Sequence, residues 1–225
     1  MKYRTIFEAV AVLVFLAAAT TLIAVTGTDL RLSAAFHIGG GWPVGDLPFW
    51  QFLYRLNRLP AITMGVTGAA MALYALRDPD WIRWKRGGVF LAVLMCLGPG
   101  LLVNSVFKEH WGRPRPREVV ELGGKKQFLH PWQKGNSGNG RSFPSGHASA
   151  AFAMTAPYFV LRRTSRRRAL AWLTGGLVFG LFMSAARITQ GGHFLSDCLW
   201  AWGMVHLTGL ALMSAFRLDD AGGGS

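Results

Sequence analysis

Apolar residues in this chain fall into six long runs separated by charged turns. The first, residues 5–26, is interrupted only by Glu8 and at helical rise is long enough to cross a bilayer. Others follow at 60–76, 87–107, 148–161, 169–186 and 193–216. The pattern predicts an all-α, polytopic membrane protein with six transmembrane helices. The 60–76 run is somewhat short, and Gly98-Pro99-Gly100 is expected to bend the third span. The first run is longer than the apolar core of a signal peptide and keeps its small residues 17–19 in its interior, so it reads as a retained span.

The spacers differ in kind. Residues 27–59 are mixed, with glycines 39–41 and Pro43 as breakers, and end in LPFWQFLYRLNRL at 47–59. That stretch reads as a short interfacial helix whose aromatic side chains sit at headgroup depth while Arg55 and Arg58 reach phosphates. A plain surface-packing helix is the competing reading. Residues 77–86 and 162–168 are compact basic turns, and 108–141 is a long polar loop of the sort that is either functional or disordered. Residues 1–218 form a single membrane domain, and the tail 219–225, ending in GGGS, resembles a leftover linker.

Composition agrees with the pattern and adds a charge. The chain of 225 residues is 51% hydrophobic yet carries a net charge of +13, a combination foreign to ordinary soluble domains. Because the basic residues flank apolar runs, the anionic company is lipid rather than nucleic acid. Cys96 and Cys198 each lie inside an apolar run, which excludes a disulfide framework and a cysteine zinc site; no metal or other cofactor is expected. No obligate protein partner is evident.

Charge also sets orientation. The basic N-terminus and the turns 77–86 and 162–168 belong in the cytoplasm, and six spans put all three there together with the C-terminus. The protein is thus expected in the bacterial inner membrane. Loop 108–141 then faces the periplasm although it too is basic, so its charge is expected to serve a ligand. The same parity brings together the end of the third span, the start of the fourth, the end of the fifth and the start of the sixth. A periplasmic-face active site is expected there.

Those four ends carry the candidate chemistry. In RSFPSGHAS, residues 141–149, Pro144, Ser145 and Gly146 suit a helix start whose unpaired N–H groups donate to an anion, with His147 beside it. The bland alternative is ordinary helix punctuation. Six residues separate Lys108 from Arg115-Pro116; a point charge and a bidentate fork neutralise a phosphoryl group from two directions, whereas headgroup snorkelling is the alternative. Pro114 and Pro116 stiffen Arg113 and Arg115. Finally, Arg187, His193 and Asp197 are spaced so that Asp197 lies one turn beyond His193. Its carboxylate is expected to accept the imidazole Nδ1–H, leaving Nε2 free as a nucleophile toward phosphorus. A structural His–Asp pair does not explain an Asp carried into an apolar span, where a charge costs about 2.5 kcal/mol or more.

In order and spacing, Lys108…Arg115-Pro116, Pro144-Ser145-Gly146-His147 and Arg187…His193…Asp197 resemble the three-part signature of the type 2 phosphatidic acid phosphatase superfamily. Membrane lipid phosphatases and vanadium haloperoxidases belong to it. One departure is Ala186, where the family usually has Ser before the Arg, so one phosphate hydrogen bond is absent. ITQGGHFLSD and the RPRP loop are similar to bacterial envelope phosphatases, including those acting on lipid A. The resemblance implies a metal-independent reaction. His193 attacks phosphorus, His147 protonates the leaving oxygen, water hydrolyses the phosphohistidine, and Lys108, Arg115, Arg187 and the N–H groups at Ser145 and Gly146 hold the phosphoryl oxygens. Lipid A is the expected substrate, with undecaprenyl pyrophosphate and phosphatidylglycerol phosphate as alternatives. Arg113, Arg117, Lys125, Lys126, Lys134 and Arg141 offer more charge than one phosphate needs, which suits a second phosphate on the substrate. Vanadate-dependent halide oxidation and non-catalytic binding or translocation of anionic lipid are the other function classes open at this point.

Overall fold

A computed structural model describes residues 2–56 and 58–218. Asn57, inside the expected interfacial stretch, and the tail 219–225 lie outside the described residues. In chain order the helices are α1 (Lys2–Val25), α2 (Thr28–Phe36), α3 (Pro48–Leu56), α4 (Leu59–Tyr74), α5 (Ile82–Met95), α6 (Gly146–Phe152), α7 (Ala156–Leu161), α8 (Arg166–Thr189) and α9 (Leu195–Ala215). A π-helical stretch, Cys96–Phe107, prolongs α5. Pro99 within it has no N–H to donate to the preceding turn, which breaks the ordinary ladder, and Asn104 Nδ2 donates to the Pro99 carbonyl at 2.5 Å. The bend expected at Gly98-Pro99-Gly100 is thus a change of helical pitch.

Among the described residues four helices are long and apolar enough to cross a membrane: Tyr3–Val25, Trp84–His110, Arg166–Thr189 and Leu195–Ala215. They coincide with the first, third, fifth and sixth expected spans. The other two are shorter for different reasons. Helix α4 has 16 residues, about 24 Å at 1.5 Å per residue, against a hydrocarbon core of about 30 Å. The fourth run is divided between α6 and α7 by the 3₁₀ turn Ala153–Thr155, because Pro157 cannot continue the hydrogen-bond ladder. Its Ala-rich first turns are buried on all sides by α8, α9 and the π-helical stretch. A central helix of small residues need not match the bilayer.

Two features explain how the helices assemble. Large apolar side chains such as Phe7, Leu13, Val14 and Leu22 of α1 and Leu181 and Phe182 of α8 point outward, which suits lipid rather than water. Between helices, close approach depends on glycine. A Cβ on Gly68 of α4 would lie 2.7 Å from the Gly88 carbonyl of α5, and one on Gly88 would lie 2.6 Å from the Gly68 carbonyl. Beyond this hairpin, Phe90, Leu94, Phe159, Val205, Leu210 and Met213 fill the core. Glu8, the one charge in the first run, pairs with Arg162 at 2.8 Å.

The segments between spans are more structured than their composition suggests. Helix α3, short and amphipathic, occupies the stretch expected to be an interfacial helix, with Leu53 buried and Phe49 and Phe52 exposed. Loop 108–141 folds on itself: Val120 N donates to Lys126 O at 2.9 Å and Lys126 N to Glu118 O at 2.8 Å, while Val119 and Leu122 pack on Phe194. Helix α2 was not expected: its fully buried positions are the polar Asp29 and Ser33, while Leu30, Leu32 and Phe36 are only partly buried.

Gly88→Ala is expected to destabilise the protein by about 1–3 kcal/mol from overpacking, although alanine is intrinsically the better helix former by about 1 kcal/mol. Gly175→Ala in α8, where the added Cβ meets nothing within 4 Å, is expected to be neutral or stabilising. Melting midpoints in detergent check the contrast.

Candidate active site

The end of α8 and the start of α9 place Arg187 and His193. After Thr189 the chain turns through Gly191, at φ +60°, and Gly192. A Cβ on Gly192 would sit 2.1 Å from Arg187 Nη2, so the guanidinium lies against bare backbone. His193 is buried, and its Nδ1 lies 2.7 Å from the Ser142 carbonyl oxygen. A carbonyl only accepts, so Nδ1 carries the proton and Nε2 keeps its lone pair. Burial lowers the His193 pKa to about 4, which keeps the ring neutral at neutral pH.

This corrects the role expected of Asp197. Its Oδ2 is 3.7 Å from His193 Nδ1, too far for a hydrogen bond. Asp197 instead sits in the first turn of α9, where Oδ2 accepts the Phe194 N–H at 2.8 Å and the Ser142 hydroxyl at 2.6 Å. It holds the residue whose carbonyl holds the imidazole.

Arg113 holds Asp197 in turn. Its guanidinium is wholly buried, with Nη1 donating to Asp197 Oδ1 at 2.5 Å and to Ser196 Oγ at 2.8 Å, Nη2 to Asp29 Oδ2 at 2.9 Å, and Nε to the Leu129 carbonyl at 2.8 Å. Asp29 of α2 also accepts from Ser196 N at 2.9 Å and Ser196 Oγ at 2.5 Å. The Phe194 ring lies 4.6 Å beneath the same guanidinium. One cation between two carboxylates thus ties α2, loop 108–141 and α9 together.

The start of α6 forms the facing wall. Ser145 caps it, its hydroxyl accepting from Ala148 N at 3.4 Å, and Ser145 N donates to the Asp197 carbonyl at 3.1 Å. The first-turn N–H groups behind Gly146 lack helical partners. A Cβ on Gly146 would lie 2.4 Å from Asn104 Oδ1 and 3.1 Å from Lys108 Nζ, so the ammonium reaches this helix start directly. Arg115, Arg187 and Arg58 are within Coulombic reach of Lys108. Burial, with repulsion from Arg117 behind it, lowers the Arg115 pKa below its ordinary value. His147 stacks on Tyr54 with ring centroids 4.9 Å apart at 17°, and Arg187 Cζ is 4.8 Å from the same Tyr54 ring. His147 Nε2 and Arg187 Nε are buried without a protein hydrogen-bond partner. Such atoms cost about 1–3 kcal/mol each unless a ligand uses them.

The structure therefore gathers Lys108, Ser145, Gly146, His147, Arg187, His193 and Asp197, with Arg115 at the rim. Arrangement and charge suit an anion bearing several oxygens, presented to a neutral imidazole nitrogen. Among the described residues no group of three His, Cys, Asp or Glu side chains could hold a metal ion. The charge excess of the loop is smaller than its composition suggests: Arg113 is consumed in the core, Arg141 pairs with Glu109 and Lys126 with Glu118. Asp29, Ser142 and Tyr54 were not foreseen. Only Asp29 had a signal in the sequence, an acid just beyond the first apolar run.

Comparison with known proteins extends these observations. The sequence model of the PAP2 superfamily matches residues 87–219. The chain is 36% identical over 178 residues to the lipid A 4'-phosphatase of Francisella tularensis subsp. novicida, covering 78% of each. To the lipid A 4'-phosphatase of Rhizobium leguminosarum it is 31% identical over 177 residues, covering 76% of this chain and 73% of the relative. The crystal structure of a transmembrane PAP2-type phosphatidylglycerolphosphate phosphatase from Bacillus subtilis shares the fold. It superposes with a TM-score of 0.52 at 18% identity, over 94% of this chain and 96% of that one.

Removing one carboxylate from the buried triad is expected to be costly. Asp29→Ala leaves Arg113 half-neutralised and is expected to lose about 3–5 kcal/mol, seen as a lowered melting midpoint in detergent. A midpoint unchanged from wild type would contradict the network's structural weight.

Proposed function

The chain belongs to the PAP2 superfamily and is a phosphatase acting on lipid phosphates, and from that premise we propose that it removes a phosphate from lipid A at the periplasmic face of the bacterial inner membrane, through a phosphohistidine on His193. The observation that carries the mechanism is the pinned imidazole. With Nδ1–H held by the Ser142 carbonyl, the free Nε2 attacks phosphorus in line and the P–O bond to the lipid breaks. His147 gives its proton to the departing oxygen. It then takes a proton from water as that water attacks the phosphohistidine, releasing inorganic phosphate and restoring both rings. Lys108, Arg115, Arg187 and the N–H groups at the start of α6 stabilise charge on the equatorial oxygens, the work that metal ions do in other phosphoryl-transfer sites.

Lipid A is favoured by the names and extent of the two relatives, each aligned over most of its length. The exposed cations Arg117, Lys125 and Lys134 are free to meet further anionic groups of such a substrate. Orientation rests on charge. The turns 77–86 and 162–168 are basic, and if α4 and the α6–α7 pair complete six crossings, both turns lie in the cytoplasm with the chain termini.

Phosphate release in detergent without added metal tests the reaction. Wild-type protein is expected to favour lipid A over undecaprenyl pyrophosphate and phosphatidylglycerol phosphate by about tenfold or more in kcat/KM, about 1.4 kcal/mol; a reversed preference would refute the substrate. His193→Ala is expected to abolish turnover and His147→Ala to lower it by about 10²–10⁴-fold.

For topology, a cysteine introduced at Asn136 is expected to react with a membrane-impermeant thiol reagent from the periplasmic side, and one at Ser165 to be protected. The opposite pattern would move the substrate to the inner leaflet.

A further inference from the structure

The two histidines are held by different means. His193 is fixed by a hydrogen bond to a backbone carbonyl, whereas the His147 ring makes no hydrogen bond among the described residues and its Nε2 is buried without a protein partner. What defines the plane of His147 is the Tyr54 ring, nearly parallel at 17° and 4.9 Å between centroids. Tyr54 belongs to α3, the short amphipathic helix packed on α8, outside the 87–219 region that matches the family. We propose that Tyr54 is a positioning residue for His147: its stacked ring sets the angle from which His147 delivers a proton to the leaving lipid oxygen. The proposal rests on the general-acid role given to His147 above.

Proton transfer demands a ring held in one plane, since a donor turned away from the leaving oxygen loses most of its hydrogen bond. An offset aromatic stack supplies that restraint without occupying either ring nitrogen. Tyr54 is 38% exposed, so shortening it leaves the packed core intact and its effect on folding is small. Tyr54 also faces Arg187, which grips phosphate oxygens. Any loss through Arg187 falls on every phosphate ester alike, whereas a loss through His147 depends on the leaving group.

The leaving group therefore separates the two. Wild type, Tyr54→Leu, Tyr54→Phe and His147→Ala are compared by kcat/KM on lipid A and on p-nitrophenyl phosphate, whose nitrophenolate departs without a proton. On lipid A, His147→Ala is expected to lose about 10²-fold or more and Tyr54→Leu about tenfold; on the aryl ester, read as the first-turnover burst of nitrophenolate that precedes water attack, both losses are expected to shrink to about threefold. Tyr54→Phe, which keeps the ring, is expected within about twofold on both. Equal losses of Tyr54→Leu on the two substrates, or none on lipid A beside a selective loss in His147→Ala, would overturn the positioning role. A His147→Ala enzyme without leaving-group selectivity would instead overturn the general-acid reading beneath it.

Discussion

The buried Arg113 guanidinium is the constraint on which the rest of the site depends. A cation sealed from water costs several kcal/mol unless it is matched by charge and hydrogen bonds. Here Asp29, Asp197, Ser196 and the Leu129 carbonyl match it. Matching fixes geometry as well as energy, because a planar fork satisfied on each arm leaves its partners little freedom. Asp197, so fixed, orients Ser142, and the Ser142 carbonyl sets the tautomer of His193. The free imidazole nitrogen, the proposed nucleophile, is thus positioned by a relay that begins in α2, far from it in sequence.

Around that relay the charges are divided by burial. One set of arginines and carboxylates is neutralised inside the protein. Another, Lys108, Arg115 and Arg187, makes no ion pair among the described residues and lies where a helix start and a neutral imidazole converge. Unbalanced positive charge of this kind is destabilising for the free protein and becomes favourable when a phosphoryl group arrives. The long helices turn large apolar side chains outward, as a lipid environment requires. An amphipathic helix, α3, brings Tyr54 against His147 and Arg187.

Much of this was legible in the sequence. Apolar runs located the long helices within a few residues, and three spaced motifs named side chains that the fold gathers. Legibility failed where the partner carries no side-chain signature. A backbone carbonyl such as that of Ser142 looks like any other, so the four-residue spacing of His193 and Asp197 suggested a direct bond that the structure replaces with an indirect one. Arg113 stands two residues from Arg115 in a basic run. Only the fold shows that one faces inward to Asp29 while the other stays at the rim. Helix α2 was missed for a related reason: its fully buried positions are polar, and a polar face is visible only beside the cation it pairs with.

The central claim is that His193 becomes covalently phosphorylated. Rapid quenching of the enzyme during turnover of ³²P-labelled lipid A tests it most directly. The account predicts a transient, acid-labile and alkali-stable label on His193 that is absent from His193→Ala and longer-lived in His147→Ala. Turnover without a labelled protein, or label on another residue, would contradict it.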